Sequence, residues 1–347
     1  MGFDDYVANA LYAPGLGFYT RGGGAGRRRD FLTSPEVGPL FGHVVANALD
    51  SWWDDLGRPD PYVVVDAGAG PGTLARTILA ASPRCADALE LVLVEVAEVQ
   101  WSSHPAGLSS RADLPGPGEL GPGPVVVLAN ELLDNLPFGL VELTEEGWCE
   151  LVVGATELDG PSHAGAPGIG SHLAEMLVPL EPRRAGWCWG RAGREADIGT
   201  RMPIQADAAA WLDAALLLAN GGRVVAIDYA STTREMARRP WQEWLRTYAG
   251  HDRGGHPLQE PGQADITVEV AVDQLATVAE PSLQRSQADF LQAHGIEALV
   301  EEGAATWNAL GIAGGLEAIA ARSRVHEAEA LTDPGGLGAF QVLEWLG

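Results

Sequence analysis

The sequence predicts an α/β protein built on an open, mostly parallel sheet with helices on both faces. Three observations carry that reading. Residues Val63 to Leu74 run Val-Val-Val-Asp-Ala-Gly-Ala-Gly-Pro-Gly-Thr-Leu, a β-branched run ending at Asp66 and followed by Gly68, Gly70 and Gly72. That pattern is a buried strand, a tight turn and a helix beginning near Thr73 and Leu74. A second apolar run, Leu91 to Val94, ends in Glu95, 23 residues beyond Gly72, and a third, Val125 to Leu128, leads into Ala129-Asn130-Glu131. In an open parallel sheet the carboxyl ends of neighbouring strands share one crevice, so Asp66 and Glu95 are expected on one side of it.

Taken in order, Phe3, Tyr6, Val7, Ala10 and Leu11 make one apolar helical face, and Tyr12 to Tyr19 is a Gly/Pro turn carrying three aromatics. Residues 21–29 are rich in glycine and arginine and read as a loop. The stretch from Asp30 leads into a helix through Trp53, with Thr33 or Ser34 as its cap, Pro35 in its first turn and Glu36 near its positive end. Such a helix start can also sit over a ligand held by a neighbouring element. These elements make an N-terminal arm over residues 1–55, and the main domain follows over 56–347.

The main domain alternates a strand at 62–66, a helix at 73–82, a strand at 91–95, a helix at 97–103 and a strand at 125–129. Residues 104–124 are rich in Gly and Pro and hide the strand that should lie between. A hairpin is expected over 139–153 around Glu145-Glu146-Gly147, then an insertion or cap at about 154–205. The helix at 206–218 ends at Asn220-Gly-Gly222, a C-cap signal. The strand from Arg223 to Asp228 and a second insertion at about 231–280 come next. A helix from Gln284 to Ala293, a strand near Ile296–Val300, a helix at 314–329 and a final strand from Phe340 to Trp345 complete the reading. The alternating polarity of that last strand suits an edge position.

The chain has 347 residues and a net charge of −25, and its 22 cationic residues are all arginine. That acidity argues against non-specific nucleic-acid binding, which needs a basic footprint, and is compatible with a cationic substrate or basic partner. Three widely separated cysteines, Cys85, Cys149 and Cys188, offer neither a disulfide framework nor a zinc spacing. No metal site is expected. No apolar run approaches a membrane span, and the acidic start, Met1-Gly-Phe-Asp-Asp, is unlike a signal peptide, so a cytoplasmic location is expected.

The glycine stretch is not the dinucleotide fingerprint Gly-x-Gly-x-x-Gly. Its acid-x-Gly-x-Gly-x-Gly order resembles the first motif of class I S-adenosylmethionine (SAM) methyltransferases. The chemistry agrees. Asp66 can attract the ligand's ammonium, the glycine loop lets its methionine part lie against the backbone, and Glu95 can hold the two ribose hydroxyls.

A more specific resemblance follows from Tyr12-x-Pro-x-x-Gly-Phe-Tyr19, Asp30-Phe-x-Thr-Ser-Pro-Glu-Val37 and Asn130-Glu-x-x-Asp-x-x-Pro137. Ile227-Asp-Tyr229, Arg246-Thr-Tyr248 with His251, Pro261-Gly262 through Asp265-Ile-Thr267, and Gln287-x-x-Phe-Leu291 with Gly295 add to it. Together they resemble the MidA family. The resemblance implies a class I SAM-methyltransferase (Rossmann-like) fold with a seven-stranded sheet, an N-terminal arm and inserted cap elements. It makes Gly68, Gly70 and Gly72 the SAM loop and Glu95 the ribose acid. Its mitochondrial members are arginine methyltransferases acting on a subunit of respiratory complex I, which implies a protein substrate. Asp66 departs from the family's usual Glu, and Pro71 replaces a frequently basic residue.

Methyl transfer from a sulfonium needs alignment and water exclusion more than acid–base help. Asn130 could accept a hydrogen bond from the attacking nitrogen or from the SAM ammonium. Glu131 and Asp134 could neutralise and orient a guanidinium, or Asp134 could simply cap a helix there. Tyr229 and His251 are secondary candidates, and Tyr12, Phe18 and Tyr19 could line the cleft. Two other functions stay open at this stage: methylation of a small metabolite, and a SAM-binding assembly factor with little turnover.

Overall fold

The computed structural model describes residues 1–24, 33–157, 171–249 and 252–347. Seven strands form the central sheet, in the spatial order Leu283–Ser286, Gln341–Leu346, Arg223–Asp228, Val125–Asn130, Tyr62–Ala67, Leu89–Val94, Ser109–Arg111. The last five are mutually parallel, and Gln341–Leu346 runs antiparallel to both of its neighbours. The chain goes outward from Tyr62–Ala67 in one direction and then returns to build the other half. The order therefore reverses between Tyr62–Ala67 and Val125–Asn130, where an open α/β sheet carries its ligand crevice.

Alternate residues of each central strand explain the two layers. Val64, Leu91, Leu93, Val126, Leu128, Val225 and Ile227 face the helix Pro39–Asp55, which buries Leu40, Phe41, Val44, Val45, Leu49 and Trp52 on them. Val63, Val65, Val92, Val127, Val224 and Leu343 face the opposite way, onto Leu212, Ala215 and Leu218 of the helix Ala206–Ala219. At about 25 cal/mol per Å² of apolar area, such two-sided burial dominates folding. The Pro39–Asp55 helix thus belongs to the sheet's own core, although the sequence groups it with the arm.

The other expected regions form smaller units. Gly139–Thr144 and Gly147–Glu157 make the predicted hairpin, widened by Ser171–Pro179 and Arg201–Ile204 into a four-stranded antiparallel sheet. Leu245–Ala249, Asp252–Arg253 and Asp265–Val268 form a three-stranded sheet. The N-terminal helix Phe3–Tyr12 packs Phe3, Tyr6, Val7 and Leu11 between these two, against Phe138, Leu151, Trp244 and Ile266.

Several expectations are corrected. Residues 296–300 are not a strand: Gly295, at φ 86°, starts the helix Ile296–Leu310, and a short apolar run cannot by itself tell the two apart. Residues 284–286 belong to a strand, and the helix begins at Gln287. The final strand is not at the edge, because Leu283–Ser286 pairs outside it. Its Glu344 is 1% exposed and held by Arg223 and Arg285 at 2.5 Å each, so its polar residues are satisfied inside the protein. Residues 98–103 form a 3-10 helix, and the hidden strand is only Ser109–Arg111. The helix after Asp30 is two, Ser34–Val37 and Pro39–Asp55, and neither Thr33 nor Ser34 caps one through its side chain. Among the described residues no helix is long and apolar enough to cross a membrane.

Candidate active site

A cleft of about 440 Å³ opens at the carboxyl ends of the central strands, at the reversal point. That volume suits a ligand of a few tens of atoms. The strand Tyr62–Ala67 delivers Asp66 to its floor. Asp66 is 3% exposed, and its Oδ2 has no hydrogen-bond partner. Burial, with the charge of Glu95 adding, pushes the Asp66 carboxyl up to about 7.

The glycine loop is tied down at each step. The N–H groups of Gly68 and Ala69 both donate to the Val94 carbonyl, at 2.9 and 3.0 Å. Gly70 has φ +51°, and nothing lies within 4 Å of where its Cβ would be. Its N–H donates to Glu95 Oε2 at 2.8 Å, while Ala97 N–H donates to Glu95 Oε1 at 2.8 Å. Burial raises the Glu95 carboxyl, and these two donors oppose it. Gly72 sits at the start of the Thr73–Ala81 helix, and a Cβ there would press on Pro105 and His104. It shapes the turn, whereas Gly68, Gly70, Thr73 and Leu74 line the cleft.

Val125–Asn130 supplies the opposite wall. Asn130 and Glu131 line the cleft, and Asn130 Oδ1 is buried without a partner. Glu131 takes a left-handed conformation, φ 51°, with its N–H on the Ile227 carbonyl at 2.8 Å. Its Oε1 accepts from Ser34 N–H at 2.9 Å and from Asn130 Nδ2 at 3.2 Å. Burial raises the Glu131 carboxyl to about 8, with Asp134 adding to the shift and the Ser34 and Asn130 donors opposing it. Pro35 and Glu36 line the cleft above it, while Ser34 is fully buried with its hydroxyl on Gln287 Oε1.

Asp134 stands behind this wall and does not line the cleft. It accepts from Tyr229 Oη at 2.8 Å and Thr267 Oγ1 at 2.5 Å, with Oδ1 buried and unpartnered. It caps no helix. Asp228 does that work, accepting from the N–H groups of Leu133 and Asp134 at 3.1 and 3.2 Å. Tyr229 is a packing and hydrogen-bonding partner of Asp134, lying against Phe340. Tyr12 and Tyr19 line the cleft and stack at 5.6 Å, whereas Phe18 is core. His251 and Asp30 lie outside the described residues.

Sequence reasoning missed Asn135, Asp113, Trp211 and Gln100, all on the cleft wall. It also missed His104, whose Nε2 lies 2.8 Å from the Gly70 carbonyl and whose Nδ1 lies 2.7 Å from Ser110 Oγ. A carbonyl only accepts, so the proton sits on Nε2 and the imidazole braces the loop. Asp113, separated only by Ala112 from the short Ser109–Arg111 strand, had the one readable signal, an acid just past a strand end.

An uncompensated buried acid at the floor, a loop with open space at Gly70, and a carboxylate at the neighbouring strand end together fit an amino-acid nucleoside bearing a cation. A pyrophosphate would meet Asp66 and Glu95, two negative groups, where it needs donors. Among the described residues no group of His, Cys, Asp and Glu could hold a metal ion.

Comparison with known proteins gives the same reading. A family model described as S-adenosyl-L-methionine-dependent methyltransferase matches residues 44–289. The mitochondrial protein arginine methyltransferase NDUFAF7 homologue of Drosophila melanogaster is 27% identical, over 80% of this chain and 66% of its own length. The human protein arginine methyltransferase NDUFAF7 is 23% identical, over 84% and 69%. The chain thus spans about two thirds of the length of these relatives. A crystal structure from Burkholderia thailandensis, a likely methyl transferase of the COG1565 superfamily bound to S-adenosyl-homocysteine, superposes with a TM-score of 0.77. It is 25% identical and covers all of this chain and 88% of that one.

Proposed function

The chain belongs to this family of S-adenosyl-L-methionine-dependent methyltransferases, and from that premise we propose that its methyl acceptor is an arginine side chain of a protein. Glu131 carries the proposal: a carboxylate on the cleft wall at the end of the central strand, with no cation paired to it among the described residues. Burying a lone carboxylate is unfavourable, and a planar cation offering paired N–H donors removes that cost. The names of the relatives support the same acceptor.

The cofactor supplies an electrophilic methyl group on a sulfonium. Asp66 would hold its ammonium, and a buried Oδ2 without a partner supports that role. Glu95 has lone pairs left beyond its two backbone donors for the ribose hydroxyls. Asn130 lines the cleft and its Oδ1 is also buried without a partner, so it would be free to accept from the attacking nitrogen. Glu131 holds the guanidinium and takes the proton released when its nitrogen is alkylated. Asp134, behind the wall, adds negative potential and does not touch the acceptor.

The test is transfer of labelled methyl from SAM into lysate of a strain lacking the protein, followed by mass spectrometry of the labelled species. The MidA resemblance makes the counterpart of the complex I subunit the first purified substrate to try. Label on arginine of a protein is expected. Label confined to a small metabolite would overturn the acceptor, and tight cofactor binding with no label in any fraction would point to an assembly role.

A further inference from the structure

Asp265 lies on the Asp265–Val268 strand, 2% exposed, and does not itself line the cleft. Two of its neighbours, Tyr19 and Asn135, close a ring with it. Tyr19 Oη is 2.9 Å from Asn135 Oδ1 and 3.0 Å from Asp265 Oδ1, and Asn135 Nδ2 donates to Asp265 Oδ1 at 2.9 Å. The amide orientation of Asn135 is fixed independently, because its Nδ2 also reaches the Ile266 carbonyl at 3.3 Å. Counting protons decides the state of this ring. If Asp265 were ionised, the single phenolic proton of Tyr19 would have to serve two acceptors, leaving one oxygen pair in contact without a hydrogen between them. One more proton completes the set. Asp265 then donates to Tyr19, Tyr19 to Asn135 Oδ1, and Asn135 Nδ2 back to Asp265.

The ring has a position that matters. Tyr19 and Asn135 both line the cleft, and the second arm tyrosine, Tyr12, donates to the Asn135 carbonyl at 3.0 Å. We propose that Asp265 is a positioning residue that carries a proton in the resting protein and, through Tyr19 and Asn135, holds the N-terminal arm across the cofactor cleft. Loss of that proton to solvent breaks the ring and loosens the arm's grip.

The surroundings favour the protonated form. Burial raises the Asp265 carboxyl to about 7 and the charge of Asp134 adds, while the hydrogen bonds that Tyr19 and Asn135 would give the ionised carboxylate oppose. Tyr12 and Tyr229 also face this group, and Tyr248 is its cross-strand neighbour. None of these can supply a positive charge.

The test needs no methyl acceptor, so it stands apart from the arginine reading. S-adenosylhomocysteine affinity is measured calorimetrically for the wild-type protein, Asp265→Asn and Tyr19→Phe between about pH 6 and about pH 9, either side of the Asp265 value. Titration of Asp66 affects all three proteins alike, so the ratio of wild-type to variant affinity isolates the ring. That ratio is expected to be about tenfold at the acid end, the worth of one or two net hydrogen bonds, and to fall towards one at the alkaline end. Infrared difference spectra should show a carboxylic-acid C=O band that disappears in Asp265→Asn and persists in Tyr19→Phe. Should Asp265→Asn fail to fold, Tyr19→Phe alone supplies the ratio. A ratio independent of pH, or an Asp265 already ionised at the acid end, overturns the proposal.

Discussion

The backbone N–H of Ser34 donates to Glu131 Oε1 at 2.9 Å, across 97 positions of sequence. This bond fixes one carboxylate oxygen of Glu131 to the arm and leaves the group's other oxygen for the cleft. Glu131→Gln preserves the bond, since the amide oxygen accepts equally well, and removes only the charge. Methyl transfer should fall by orders of magnitude while S-adenosylhomocysteine affinity changes by less than about threefold, the signature of an interaction made with the acceptor alone. Single-turnover kinetics and calorimetry on the same preparation separate the two. Full turnover by the variant would remove the guanidinium role.

Gly70→Val should abolish cofactor binding in a folded protein. A Cβ at Gly70 meets nothing within 4 Å, so the added side chain projects into the cleft without disturbing the core. The left-handed φ of +51° costs on the order of 1–2 kcal/mol for a β-branched residue, a loss a domain of this size can absorb. Circular dichroism and a thermal melt check the fold, and calorimetry with S-adenosylhomocysteine checks the binding. Unchanged affinity in folded Gly70→Val would mean that the ligand lies elsewhere.

How much of this was readable in the sequence depends on where the information resides. Asp66, Glu95, Asn130 and Glu131 were visible because each ends a buried apolar run, and the topology does the rest. Ser109–Arg111 and Leu283–Ser286 carry no such run, being short outer strands with exposed or half-exposed residues, so the first cannot be located within 104–124 and the second reads in part as the start of a helix. Residues 296–300 look the same as a strand until Gly295 is known to start a helix. The ring of Tyr19, Asn135 and Asp265 spans separations of 116, 130 and 246 positions. No local periodicity reports a contact of that range.

Glu95→Ala should weaken cofactor binding by roughly 1–3 kcal/mol, the usual cost of leaving buried partners unpaired. Part of that loss concerns ribose hydroxyls and part concerns the protein, because Glu95 also accepts from Gly70 and Ala97. A ligand lacking both ribose hydroxyls separates the parts. It should bind the variant more weakly than the wild type by less than the natural ligand does, the remainder measuring the slackened loop. Equal losses for both ligands would make Glu95 purely a loop anchor.

The buried acids also set how stability responds to pH. Asp66 and Asp265 each titrate at about 7 in the folded chain, well above the ordinary carboxylate range they regain on unfolding. Between those limits the native state binds more protons than the unfolded one, so stability falls as pH rises. The stabilisation is complete below the ordinary carboxylate range and is lost through about pH 7. The ligand-free protein should therefore melt higher at about pH 5 than at about pH 8, by an amount on the order of a few kcal/mol in free energy. Saturating SAM places an ammonium beside Asp66 and favours its charged form, so the same comparison with ligand should show a smaller slope. Asp66→Asn should reduce the slope of the ligand-free protein and remove the flattening that SAM produces. Melts that are flat with pH in the free protein would show that Asp66 is not protonated at rest, and a slope that SAM leaves untouched would show that it is not the ammonium's partner.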